Sequence, residues 1–129
     1  MLETPYFLLD LQRLENNLQT MRVAFRSLWP RFEIGYSFKT NNLPWIASWM
    51  KEHGVYAEVV SSPEYELAKY VGYDDSRIII NGPNKGIEAM KNILKAGGIV
   101  NLDSFEEIAY IQDNIGELGE IEIGIRINF

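Results

Sequence analysis

Residues 121–128 read Ile-Glu-Ile-Gly-Ile-Arg-Ile-Asn. Successive side chains of a strand point to opposite faces. Ile121, Ile123, Ile125 and Ile127 therefore share one face, and Glu122, Gly124, Arg126 and Asn128 share the other. One side is greasy, the other small or charged. The same division recurs at residues 33–39, where Ile34, Tyr36 and Phe38 point one way and Gly35, Ser37 and Lys39 the other. If helices cover the apolar faces, Lys39 and Arg126 point into the interior of a barrel, each at the C-terminal end of its strand. That end is where barrel active sites lie. An antiparallel sheet with one wet face would produce the same alternation without any site.

Working outward, the chain alternates between the two periodicities. Thr4 to Leu9 is a short apolar run that reads as a strand or extended arm. Leu11, Leu14, Leu18, Met21, Phe25 and Leu28 recur at steps of three and four, the apolar stripe of a helix that Asp10 can cap and Pro30 ends. Strands follow at Glu33 to Lys39, Val55 to Val60, Arg77 to Asn81, Ile99 to Leu102 and Glu122 to Asn128. Between them fall helices at Pro44 to His53, Pro63 to Val71 and Gly86 to Ala96, closed by Gly54, Gly72 and the Gly97-Gly98 pair. Ser104 and Glu107 form a capping box for a helix to Ile115. Five strands separated by four helices with short loops predict right-handed βαβ units and a parallel sheet.

The 129 residues are 47% apolar and 23% charged, the composition of one globular domain. Twelve Lys and Arg against eighteen Asp and Glu give a net charge of −6. No basic cluster interleaved with aromatics tracks a phosphate backbone, so nucleic acid is not an expected partner. No Cys is present, which removes disulfides, thiolate metal sites and a Cys nucleophile. No apolar run approaches the ~18 residues of a membrane span, and no signal peptide opens the chain. A soluble, cytoplasmic protein is the expectation.

Lys39 stands out on chemistry alone. An ammonium on the inner face of a buried strand suffers desolvation, so it should lose its proton more easily or acquire a partner. A neutral amine beside Phe38 would be a nucleophile for carbonyls. A lysine at a strand end can equally snorkel to solvent. Glu58 could hold a nearby cation, and Arg126 could donate paired hydrogen bonds to an oxyanion, or the two could form an ion pair with each other. Asn81 and Asp103 reach the same level of the sheet. His53, at a helix C-terminus, suits the dipole there. Trp45, Trp49, Tyr65 and Tyr70 read as packing residues, and the Gly82 to Gly86 turn as a weak candidate for an anion.

Tyr36-Ser37-Phe38-Lys39-Thr40-Asn41 resembles the Tyr-Ala-Val-Lys-Ala-Asn motif of the fold type III pyridoxal-phosphate decarboxylases, the diaminopimelate, ornithine and related enzymes. Further matches are Thr4-Pro5-Tyr6-Phe7 with Asp10, Ala57-Glu58-Val59-Val60-Ser61 with Glu64 and Leu67, and Ile80-Asn81-Gly82-Pro83-Asn84-Lys85. Asn101-Leu102-Asp103-Ser104 with Glu107, and Arg126-Ile127-Asn128, complete the series. Glu58 stands where the family usually has Asp, Thr40 where it has Ala, and Ser62-Pro63 where paired glycines are common.

The resemblance implies an α/β fold, the first part of a (β/α)8 barrel of the alanine racemase-like type, with about five parallel strands. It implies residues 10–129 as an incomplete barrel domain that binds pyridoxal 5'-phosphate. Residues 1–9 would be an arm pairing with a β-domain from elsewhere in the protein. Lys39 would form the internal aldimine and carry a proton to the substrate. Glu58 would lie near that end of the cofactor, and Arg126 near its ring hydroxyl. The substrate would be a basic or dibasic amino acid such as diaminopimelate, ornithine or carboxynorspermidine. The full-length enzyme would be a homodimer. The family's ring-stacking His, glycine loop, pyridine-nitrogen Glu and dimer-site Cys and Tyr have no counterpart in these residues, so the chain is expected to be an inactive fragment. A non-catalytic carrier of the cofactor and an alanine racemase-like enzyme are the alternatives.

Overall fold

The computed structural model describes Pro5 and residues 7–127. The chain divides into two units, Met1–Glu33 and Ile34–Phe129. In the first, helix α1 spans Leu11–Leu28, with the Asp10 carboxylate accepting from the Arg13 N–H at 3.0 Å as its N-cap. It ends as Phe25 stacks obliquely on Trp29 and Phe32, at 5.9 and 5.4 Å between ring centres. Of the apolar stripe only Leu18 is buried, while Leu11, Met21, Phe25 and Leu28 are exposed. The expected N-terminal strand is absent among its described residues. Thr4 and Tyr6 lie outside them, and Phe7, Leu8 and Leu9 are exposed and form no strand.

The second unit alternates strand and helix. Its elements are β1 (Gly35–Ser37), α2 (Pro44–Glu52), β2 (Tyr56–Ser61), α3 (Ser62–Tyr70), β3 (Ile78–Asn84), α4 (Ile87–Ala96), β4 (Ile99–Leu102), α5 (Phe105–Leu118) and β5 (Ile123–Ile125). A single 3₁₀ turn, Asp75–Arg77, leads into β3. The strands form one sheet, all parallel, in the order β1-β2-β3-β4-β5. That excludes the antiparallel reading. A doubly wound sheet reverses its strand order at a switch point, whereas this order never reverses. Right-handed crossovers in one direction bring every helix to the same face. The opposite face carries the polar Ser37, Glu58, Asn81 and Asn101 beside Ile79 and Ile99, and no crossover helix covers it.

The helix-covered face is dry. Phe38, Ala57, Val59, Ile78, Ile80, Val100 and Leu102 are buried there against Ala47, Ala68, Ala89, Met90, Ile93 and Leu94. Ile123 and Ile125 pair in register with Val100 and Leu102. They stay exposed, because no described helix covers them. Tyr65 is buried, its hydroxyl donating to Asp75 at 3.0 Å. Tyr70, expected to pack, is 82% exposed on the far side of α3. Trp49 stacks on His53 at 3.7 Å, whereas Trp45 is exposed.

Several boundaries differ from the sequence pattern for local reasons. β1 stops early because Thr40 folds back, its N–H and Oγ1 both donating to the Ser37 carbonyl. β3 runs on to Asn84 past an irregularity in its pairing with β2. Asn128, the expected end of the last strand, lies outside the described residues. No helix among them is long and apolar enough to cross a membrane.

Two glycines show how tightly α4 and α5 constrain the fold. A Cβ at Gly98 would overlap the backbone carbonyls of Asp75 and Ile78 and the Ile93 side chain, whereas one at Gly116 would meet nothing. Gly98→Ala should destabilise the chain by about 2 kcal/mol or more through overpacking. Gly116→Ala, inside α5, should stabilise it by up to about 1 kcal/mol through helix propensity. Urea titrations of the two variants check both signs.

Candidate functional site

The C-terminal ends of the strands gather the polar groups. On the uncovered face Ser37 pairs in register with Glu58, and Glu58 with Ile79. Glu58 reaches past Ile79 to the next polar position of β3, where Asn81 Nδ2 donates to its Oε1 at 2.7 Å. Asn101, on β4, donates in turn from Nδ2 to Asn81 Oδ1 at 2.5 Å. Gly124 sits opposite Asn101, and a Cβ there would overlap the Asn101 amide oxygen. Ser37 Oγ is buried with no hydrogen-bond partner.

Lys39 follows at the rim. The ladder extends one residue beyond β1, as Phe38 N–H donates to the Glu58 carbonyl at 2.9 Å, and Phe38 is fully buried. Lys39 comes next, within the turn that closes the strand. The desolvation expected for it is not found. Lys39 is exposed and makes no hydrogen bond or ion pair among the described residues. The Thr40 turn lifts it out of the ladder, and five strands leave the polar face open.

Arg126 extends the β5 ladder by donating its N–H to the Leu102 carbonyl at 2.8 Å. Its guanidinium is half exposed and lies 4.0 Å from Asp103 Oδ2. It lines a cavity with Leu102, Asp103, Phe105, Ile108 and Ile125. An ion pair between Glu58 and Arg126 is not formed. Each has a different neighbour, Asn81 for the one and Asp103 for the other.

Sequence reasoning missed the strongest electrostatic feature at this end. Lys85, 1% exposed, is the buried charged side chain of the described residues. Its Nζ donates to the Gly82 carbonyl at 2.6 Å, to Asp103 Oδ1 at 2.7 Å and to both Glu107 oxygens at 2.8 Å. Glu107 also accepts the Asp103 N–H at 3.0 Å, and its own N–H donates to Ser104 Oγ, so the Ser104 half of the expected capping box forms while the carboxylate takes the N–H one residue earlier. The turn expected to take an anion therefore holds a cation already matched by two carboxylates. A lysine directly before a helix N-terminus opposes the dipole. That mismatch was the available signal, since such a lysine needs acidic partners from elsewhere. Among the described residues no His, Cys, Asp and Glu group could hold a metal ion.

Residues 11–129 match the family model described as pyridoxal-dependent decarboxylase, pyridoxal binding domain. The probable chloroplastic diaminopimelate decarboxylase of Oryza sativa subsp. japonica is 31% identical over 97% of this chain and 25% of its own length. The L-glutamyl-[BtrI acyl-carrier protein] decarboxylase of Niallia circulans is 30% identical over 98% of the chain and 29% of its own length. In three dimensions the chain resembles the crystal structure of diaminopimelate decarboxylase from Helicobacter pylori complexed with L-lysine. The TM-score is 0.77 at 28% identity, over 98% of this chain and 32% of that one. The chain thus spans about a quarter to a third of the proteins it matches.

Removing the buried ammonium would strand Asp103 and Glu107 beside each other. Lys85→Met should therefore cost about 3–5 kcal/mol of stability, the range for breaking a buried ion pair on one side. Adding Glu107→Gln to it should recover part of the loss, read from guanidinium unfolding midpoints.

Proposed function

The chain belongs to the pyridoxal-dependent decarboxylases through their pyridoxal-binding domain, and on that premise we propose that Lys39, Glu58 and Arg126 bind the cofactor of an amino acid decarboxylase. Pyridoxal phosphate is the cofactor of this family. When bound, it supplies the electron sink that makes loss of carbon dioxide from an amino acid feasible. Two observations support the fit of these residues to it. An amine and a guanidinium follow the C-terminal ends of β1 and β5 while a carboxylate stands within β2, and Ser37, in register with that carboxylate's residue, has a buried Oγ without a partner.

The observation that supports the reading is Lys39 itself, an exposed primary amine two residues past the end of β1 with no partner among the described residues. Its Nζ is the group that would hold the cofactor's aldehyde carbon and would carry a proton for the substrate. Glu58, held by Asn81, would balance positive charge at that nitrogen. Arg126 has donors to offer a ring oxygen, with Asp103 limiting where its guanidinium settles.

The substrate class we infer is a basic or dibasic amino acid. The diaminopimelate decarboxylases among the relatives support it, as does the lysine in the Helicobacter pylori structure. A second reading has its own support in the relative that acts on a glutamyl group carried by a protein. Residues 1–129 cover about a quarter of these relatives, so they account for one wall of the site, and turnover by the chain alone is expected to be negligible. A homodimer and a cytoplasmic location belong to the same proposal.

Borohydride reduction after incubation with pyridoxal phosphate tests the site. The adduct should fall on the peptide containing Lys39 and vanish in Lys39→Ala, and Glu58→Ala should lower its yield roughly tenfold, as expected for losing an adjacent countercharge. Labelling of Lys51, Lys69, Lys91 and Lys95 as heavily as Lys39 would overturn the assignment. In the protein that contains this domain with the rest of a decarboxylase, carbon dioxide release from diaminopimelate or from a glutamyl thioester separates the two substrate readings.

A further inference from the structure

We propose that Asn81 and Asn101 are positioning residues for Glu58, linked in a one-way relay of side-chain amides that crosses three strands. The relay runs from Asn101 Nδ2 to Asn81 Oδ1, and from Asn81 Nδ2 to Glu58 Oε1. An ionised carboxylate only accepts hydrogen bonds, whereas each amide has one accepting and one donating end. Glu58 therefore sets the direction. Asn81 must turn its NH2 toward Glu58, which leaves its oxygen for Asn101, and both amide dipoles point their positive ends at the carboxylate.

Three features of the sheet make this more than a chance contact. The pairing of Ile79 with Ile99 brings Asn81 and Asn101 to corresponding positions on adjacent strands. Glu58 starts level with Ile79, and its length, one methylene beyond Asp, carries the carboxylate up to Asn81. Gly124 gives the far end its room, since any Cβ there would overlap the Asn101 oxygen. Gly124 has no positive φ, so space is the reason for glycine at this position.

The relay holds Glu58 without neutralising it. No other side-chain hydrogen bond reaches the carboxylate, and no cation pairs with it, among the described residues. The nearby charged groups at this end of the sheet are Lys39 after β1, Asp103 after β4 and Arg126 after β5, with Asp103 facing Arg126 and Lys85. Glu58 therefore has its second oxygen left without a side-chain partner and available to a cation. This role rests on the reading of Lys39 and Glu58 as cofactor-binding residues, and it adds two residues that act on the cofactor only through Glu58.

The test has one arm without cofactor and one with it. In the first, side-chain amide resonances of the 129-residue chain are followed by nitrogen-15 NMR. Glu58→Gln should shift the Asn81 and the Asn101 signals together while exposed Asn41 stays in place. An Asn101 signal that ignores Glu58→Gln would overturn the relay. In the second, pyridoxal phosphate is titrated and the Lys39 adduct quantified. Asn81→Ala should weaken capture three- to tenfold and Asn101→Ser less. Neither should weaken it further in a Glu58→Gln background, because coupled residues are not additive. A purely structural role would lower the unfolding midpoint while leaving capture unchanged, and that result would overturn the positioning role. If the amide signals couple to Glu58 but wild-type chain forms no Lys39 adduct, the cofactor reading fails and the positioning role fails with it, while the relay itself stands.

Discussion

Every strand of this sheet must satisfy two environments at once. Its strand order never reverses, so right-handed crossovers stack all the helices on one side. On that side the strands can carry only what packs: Phe38, Val59, Ile80, Val100 and Leu102 are buried. Functional groups are confined to the other set of alternating positions, and the same rule that builds the core delivers Ser37, Glu58, Asn81 and Asn101 to a common face. Buried polar groups need partners. Glu58, Asn81 and Asn101 supply each other's, and Ser37 Oγ stands out because it has none.

Charge at the ends of the strands is organised in two layers. The outer layer is Lys39 and Arg126, both exposed and able to reorient toward a ligand. The inner layer is Lys85, sealed from water, with the largely buried carboxylates of Asp103 and Glu107, and it is tied to backbone at Gly82 and Asp103. Asp103 belongs to both, one oxygen on Lys85 and the other facing Arg126. The loops after β3 and β4 are thereby pinned together beneath the groups that would meet a cofactor. A flexible first contact resting on a fixed support is the arrangement that lets a site hold its geometry.

The alternation of strands and helices could be read directly because it rests on local signals: period two, period 3.6, and glycines closing helices. Asp10 and Pro30 marked the two ends of α1, which stops at Leu28, and Ser104 with Glu107 marked the start of α5. The motif around Lys39 pointed to the proposed site for the same reason, being contiguous. What could not be read depends on contacts between distant residues. Lys85 finds Asp103 and Glu107 across 18 and 22 positions, and nothing beside it names them. Asn101 matters only because strand register sets it against Asn81. The exposure of Lys39 goes with the turn at Thr40, whose N–H and hydroxyl both bond back to Ser37. Tyr70 faced outward because helical phase is fixed by its neighbours Tyr65 and Ala68, which take the buried side.

The sealing of Lys85 has a further effect. Dissolved ions screen charges they can approach and leave enclosed ones nearly untouched. The pair between Lys91 and Glu117, 32% and 63% exposed, weakens as brine concentration rises. The Lys85 cluster does not. In strong electrolyte the periphery of the domain relaxes while the junction of its third and fourth βα units keeps its shape, and this framework is indifferent to the ionic medium around it.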